Sequence, residues 1–296
     1  MKTITTRAEM QCQADAWRSE DKTIALVPTM GALHDGHLAL VQRAKAEADI
    51  VVVSIFVNPT QFTPGEDYDR YPRNLERDLE ALRPYRIDTV FAPPVDDVYP
   101  FGPGEVYTHV IVDELTTPLC GAHRAGHFRG VTTVVTKLLL ACKPHTAIFG
   151  MKDAQQFFVL RRMVTELGFD VKLVGVPTVR ESNGLAMSSR NAFLSDAERH
   201  NASVIAKSLK QTKAHILAGE LEVEPLVRQL TQRIEDAGGT VQYAELVETG
   251  SLSAVTMAQP HQELLIAVAV FFGSTRLIDN VIVTVPAHPL QDVLPS

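Results

Sequence analysis

Residues 23–41 read TIALVPTMGALHDGHLALV, and this stretch decides the fold. The apolar run at 23–27 has the composition of a buried strand and stops at Pro28. Thr29, Met30 and Gly31 follow, then His34, Asp35, Gly36 and His37, before Leu40, Val41, Ala44 and Ala48 lay out the stripe of a helix. A strand, a glycine-bearing turn and a helix open a βα unit, from which parallel sheets covered by helices are built.

The alternation continues outward. Strands are expected at 50–57, 87–91, 146–149 and 171–176. Over 127–142, Val131, Val134, Val135, Leu138 and Leu139 recur at helical spacing and predict one apolar face. Residues 59–72 are polar, with Gly and Pro at intervals, and read as a long loop over the sheet. Near residue 184 the texture changes. The segment 180–191 is polar, and Ser195 with Glu198 forms a capping-box pattern for a new helix. Another helix from about 225 stops at Gly238 and Gly239, and strands follow at 241–247, 264–271 and 276–285. The expected class is α/β: a parallel-sheet domain over 1–184 and a smaller C-terminal α+β domain over 185–296.

The chain has 296 residues, of which 45% are hydrophobic and 21% charged, the proportions of a globular protein with a substantial core. Its 28 Lys and Arg against 35 Asp and Glu give a net charge of −7, which argues against nucleic acid as a partner. The N-terminus lacks the apolar core of a secretory signal, and the longest apolar run, 264–272, is far short of the roughly 18 residues that span a bilayer. A cytoplasmic protein is therefore expected. Cys12, Cys120 and Cys142 are odd in number and scattered, as reduced, mostly buried thiols are.

Open parallel sheets bind ligands outside the carboxyl ends of their strands, and the unusual polar residues collect at those ends. The ends read Pro28 to Gly31 and then His34 to His37, Asn58 to Gln61, Phe149 to Asp153, and Pro177 to Arg180. Amides at a helix N-terminus favour phosphate, and the imidazoles of His34 and His37 add donors beside them. A histidine-containing cap or turn, and a metal pair lacking a nearby third ligand, are the competing readings. Lys152 suits phosphate oxygens but equally a solvated surface. Met187, Ser188, Ser189 and Arg190 offer two hydroxyls and a guanidinium to a triphosphate, although a Ser-Ser-Arg tripeptide is usually a plain polar loop. Arg124, His127 and Arg129 attract an anion or form a solvated basic patch.

Taken together, PTMGALHDGHLALV (28–41), SIFVNPTQF (54–62), HFRGVTTVVTKLL (127–139), GMKDAQQF (150–157), VRESNGLAMSSRN (179–191) and TRLIDN (275–280) resemble the pantothenate synthetase family of pantoate:β-alanine ligases. More widely they resemble the HIGH-type nucleotidyltransferases. The resemblance implies a Rossmann-like N-terminal domain binding ATP and pantoate, a C-terminal lid, a homodimer and magnesium-bound ATP. It implies an ATP site of Met30, Gly31, Ala32, Leu33, His34, Asp35, Gly36, His37, Gly150, Met151, Lys152, Asp153, Val179, Met187, Ser188, Ser189 and Arg190. Catalysis would rest on His37 as proton donor with His34, Lys152, Ser188, Ser189 and Arg190. Gln61 would meet pantoate and β-alanine, Gln156 would hold pantoate, and Asn58 and Arg124 are further candidates. No protein ligand for a metal is assigned. The chain departs from the family pattern at Met151, Asn183 and Ser274, where Glu, Asp and Lys are common. The implied chemistry is a pantoyl adenylate attacked by β-alanine. The rivals are a plain nucleotidyltransferase, which would leave AMP on its acceptor, and a nucleotide-binding regulator without turnover.

Overall fold

The structure is a computed structural model and describes residues 1–291. Six strands, β1 (Lys2–Ile4), β2 (Ile24–Thr29), β3 (Ile50–Ile55), β4 (Thr89–Phe91), β5 (Thr146–Gly150) and β6 (Lys172–Val176), form one parallel sheet in the order β1-β4-β3-β2-β5-β6. From β2 the chain builds outward through β3 and β4. It then returns to the other side of β2 and builds outward again through β5 and β6. The topological switch point therefore lies between β2 and β5, where a doubly wound sheet offers its ligand crevice. Their ladder pairs only Ala25 with Thr146 and Leu26 with Ala147, although both strands run on.

Ala25, Val27, Val51, Val53 and Ile148 pack with Leu40, Val41 and Ala44 of the helix Asp35–Glu47. The alternate residues Ile24, Leu26 and Val52 are fully buried on the opposite face, and helices Arg7–Ser19 and His127–Cys142 lie against β2. A strand buried on both faces must read as a continuous apolar run, as 24–27 does. The helix expected at 127–142 has those bounds. Strand β1 and the helix Arg7–Ser19 have no counterpart among the expectations. The first has three residues, and the second buries only Met10 and Ala14, too thin a stripe to register as periodicity.

Three strands, β7 (Thr240–Glu248), β8 (Glu263–Phe272) and β9 (Thr275–Thr284), form an antiparallel meander. Helices Val204–Leu217 and Val223–Asp236 share a core with it, centred on Leu209, Leu230, Ile234, Ile266 and Val268. The capping box at Ser195 is formed, with Ser195 Oγ accepting from the Glu198 amide at 3.3 Å and Glu198 Oε2 from the Ser195 amide at 2.8 Å.

The chain divides into two compact units, each with its own core. The first comprises Met1–Thr116, His123–Met151 and Val159–Pro177; the second comprises Thr117–Ala122, Lys152–Phe158 and the described residues from Thr178 onward. The changeover toward the C-terminus falls after Pro177, ahead of the expected 184, and two short segments from the earlier part of the chain belong to the second unit.

Candidate active site

In the first unit, the turn after β2 is set by a residue far away in sequence. Gly31 (φ +80°) and Ala32 (φ +51°) are both left-handed. The amides of Ala32 and Leu33 donate to the two carboxylate oxygens of Asp78, at 3.1 and 2.8 Å. A Cβ on Gly31 would meet Asp78 Oδ2 at 2.7 Å, so glycine is required there for space as well as for conformation. Burial pushes the Asp78 carboxyl up, against the pull of the two amides.

His34 is the N-cap of the helix Asp35–Glu47: its Nδ1 accepts from the Gly36 amide at 3.1 Å, and its carbonyl accepts from the His37 amide at 2.8 Å. His37 reaches back, its Nδ1 accepting from the His34 amide at 3.3 Å, and the ring centroids are 4.1 Å apart. The pair is a capping box made of imidazoles. Each Nδ1 accepts, so hydrogen bonding assigns the ring proton to Nε2. The amides of Ala32, Leu33, Gly36 and His37 are bonded within the protein.

Asn58 organises the next strand end. It caps the short turn Pro59–Gln61, its Oδ1 accepting from Tyr99 Oη at 2.7 Å while its Nδ2 donates to Gln61 Oε1 at 3.0 Å and to the Gly130 carbonyl at 3.2 Å. Gln61 Nε2 contacts Met30 Sδ at 3.1 Å. Met30, Asn58 and Gln61 are thus brought together, with the Gln61 amide held at both ends. The approach depends on Gly130 in the helix His127–Cys142, where a Cβ would lie 2.3 Å from the Thr60 carbonyl oxygen.

Arg124 is held by side chains of the first unit. Its guanidinium grips Glu66, with Nε–Oε1 at 2.6 Å and Nη2–Oε2 at 2.8 Å, and its Nη1 donates to His127 Nε2 at 3.0 Å. His127 Nδ1 then donates to the Gln61 carbonyl at 2.8 Å. Burial raises the Glu66 carboxyl, but Arg124 overcomes it and holds the group at about 2. Arg124 therefore braces the backbone of Gln61, while Arg129 is exposed.

Gly150 closes β5, and Met151 opens the following turn, in the first unit. In the second unit, Lys152 lies in that turn with its ammonium 3.6 Å from Asp153 Oδ2, and Gln156 is half-buried on the first turn of the helix Ala154–Glu166. Its neighbour Gln155 serves the fold, accepting from the Cys120 amide at 3.0 Å and donating to the Pro118 carbonyl at 2.8 Å.

Residues 179–187 form a tight hairpin. Arg180 bridges Ala186, the Met187 amide donates to the Val179 carbonyl at 2.9 Å, and Gly184 takes the left-handed position. Asn183 Oδ1 accepts from the Leu185 amide at 3.0 Å, so this departure sits in turn geometry. The hairpin sets Val179 beside Met187, from which Ser188 caps the short turn Ser189–Phe193 and Arg190 projects half-buried. Ser274 is exposed in the turn between β8 and β9.

Sequence reasoning missed Asp78, Glu66 and Gly130. Only Gly130 carried a signal: glycine inside a helix costs about 1 kcal/mol relative to alanine and asks for a packing reason.

The pantoate-beta-alanine ligase family model matches residues 2–282. A pantothenate synthetase of Salinibacter ruber is 54% identical over 97% of this chain and 99% of its own length. One of Geobacter sulfurreducens is 50% identical over 95% and 98%. The crystal structure of pantothenate synthetase from Thermus thermophilus matches with a TM-score of 0.86 at 41% identity, covering 100% of both chains. The pantoate-beta-alanine ligase of Francisella tularensis, solved in complex with beta-gamma ATP and beta-alanine, matches with a TM-score of 0.79 at 33% identity over 95% of this chain and 97% of that one.

Proposed function

The chain belongs to the pantoate–β-alanine ligase family, and on that premise we propose how its residues divide the reaction. The enzyme condenses pantoate with β-alanine in two steps. The pantoate carboxylate attacks the α-phosphorus of ATP, giving pantoyl adenylate and pyrophosphate. The amine of β-alanine then attacks the activated acyl carbon, releasing pantothenate and AMP.

The observation that carries the site assignment is the imidazole pair of His34 and His37, tilted rings with centroids 4.1 Å apart in the turn after β2, at the switch point. With Nδ1 engaged by backbone amides, hydrogen bonding places each ring proton on Nε2, and the two imidazoles serve as hydrogen-bond donors toward charge growing on the phosphates in the transition state. His37 also fills the proton-donor role through that nitrogen. Met30 to His37 contact ATP, together with Gly150 to Asp153 and Val179. Lys152 supplies a point charge to the phosphates, and residues 187–190 of the second unit close on them and shield the labile mixed anhydride from water. Gln61, fixed by Asn58, orients pantoate and the incoming amine, and Gln156 holds pantoate. An amide suits a hydroxy acid because it donates and accepts together. No side chain need become a nucleophile, so catalysis rests on orientation and charge neutralisation.

Magnesium enters with ATP. Mg²⁺ ordinarily takes phosphate oxygens and water with one or two carboxylates, and Asp153, whose side chain is 48% exposed within the phosphate-binding motif, offers a carboxylate of that kind. Small molecules are the partners, and a cytoplasmic homodimer is the working state. Among the described residues no helix is long and apolar enough to cross a membrane. Sedimentation equilibrium should give twice the monomer mass; a monomer at micromolar concentration contradicts the homodimer.

Product analysis tests the function. Protein mixed with ATP, magnesium, pantoate and β-alanine should yield pantothenate and AMP in equal amounts by mass spectrometry. AMP left attached to its acceptor would instead mark a nucleotidyltransferase.

A further inference from the structure

TRLIDN lies on β9, and its last two residues are unusual for a strand. Asp279 and Asn280 are adjacent and both buried, at 4% and 9% exposure. Side chains alternate along a strand, so these two point to opposite faces. Their partners on β8 are the apolar Val268 and Ala267, which satisfy neither. Buried polar groups on an apolar sheet need partners.

Asp279 finds Arg180, with Nη1–Oδ2 at 2.6 Å and Nη2–Oδ1 at 3.0 Å. The same Nη1 donates to the Gly184 carbonyl at 3.2 Å, tying the ion pair to both arms of the hairpin that carries Val179 and Met187. Asn280 Nδ2 donates to the main-chain carbonyl of Lys152 at 2.9 Å. Asp279 Oδ1 also accepts from the Asn280 amide at 2.8 Å, so the two residues form one rigid step.

We infer that Asp279 and Asn280 are positioning residues for phosphate handling: a single step of β9 fixes the backbone of Lys152 on one face and the hairpin leading to Ser188, Ser189 and Arg190 on the other. A buried ion pair is not a net stabiliser compared with well-packed apolar residues, so what this pair contributes is geometry. Lys152 and the hairpin are separated in sequence, and their common attachment to β9 keeps their spacing constant within the unit. The inference rests on the reading that Lys152 meets the ATP phosphates.

The test separates the two half-reactions in Asn280→Leu and Asn280→Asp, which keep the side-chain size and remove the amide donor, with Lys152→Ala as reference. Pyrophosphate release from ATP and pantoate reports phosphate handling. Aminolysis of supplied pantoyl adenylate by β-alanine reports the folded, otherwise competent enzyme and normalises the first rate. For both Asn280 variants, kcat/KM for ATP should fall about tenfold or more, as expected for a lost hydrogen bond that positions a charged group, while aminolysis stays within about twofold. ATP kinetics within about twofold in Asn280→Leu, or both half-reactions falling together, would overturn the inference. A defect in Asn280→Asp alone would do the same, marking added charge as the cause. If Lys152→Ala leaves ATP kinetics unchanged, the reading of Lys152 fails first; if it impairs them and Asn280→Leu does not, only the positioning role fails.

Discussion

At His34 and His37 the chemistry is decided by which ring nitrogen the backbone occupies. Both Nδ1 atoms accept from amides, which places each ring proton on Nε2, the nitrogen through which the proposed role of His37 would run. His37→Ala should slow pantoate-dependent pyrophosphate release by roughly two orders of magnitude; a normal rate in rapid-quench experiments would contradict the assignment. Glu66 makes a different prediction. Its carboxyl lies at about 2 in the folded chain against 4.5 for the free side chain, so its pairing with Arg124 contributes stability that is fully present above 4.5 and is lost as pH falls through about 2. Across that window the wild type should lose more stability than Glu66→Gln, followed by circular dichroism in urea; parallel curves would show that the pair contributes nothing. His37 and Lys152 stand out in the sequence as candidates because their residue types suit phosphate chemistry. Glu66 and Asp78 do not: their roles depend on partners dozens of positions away, and an acidic residue in a polar stretch looks like any other.

Elements were legible in proportion to how much apolar surface they bury. The helix His127–Cys142 buries a full stripe and was read to its ends, whereas the helix Arg7–Ser19 buries two residues and left no periodic trace. The helix after β2 is legible from its apolar stripe, whereas the reciprocal capping by His34 and His37 is not, since capping by histidine leaves no pattern distinct from ordinary turn chemistry. The turn Pro59–Gln61 packs so closely on the helix His127–Cys142 that only glycine fits at 130. Gly130→Ala should cost roughly 1–3 kcal/mol of stability and raise the KM for pantoate more than that for ATP, because the displaced backbone carries Gln61. Chemical denaturation with steady-state kinetics checks both effects, and equal changes in the two KM values would indicate general loosening.

For the whole molecule, the α/β class and the antiparallel C-terminal sheet followed from the alternation of apolar runs and amphipathic segments. The division into units was less legible, because segments 117–122 and 152–158 join the second unit from within the earlier part of the chain. Contact between distant segments is not written in local composition. The reaction turns on one bond, from a pantoate carboxylate oxygen to the α-phosphorus of ATP. Pantoate carrying ¹⁸O in its carboxylate, turned over with ATP, magnesium and β-alanine, tests this most directly. The account predicts one ¹⁸O atom in the phosphate of AMP for each labelled pantothenate formed; AMP free of label would contradict it.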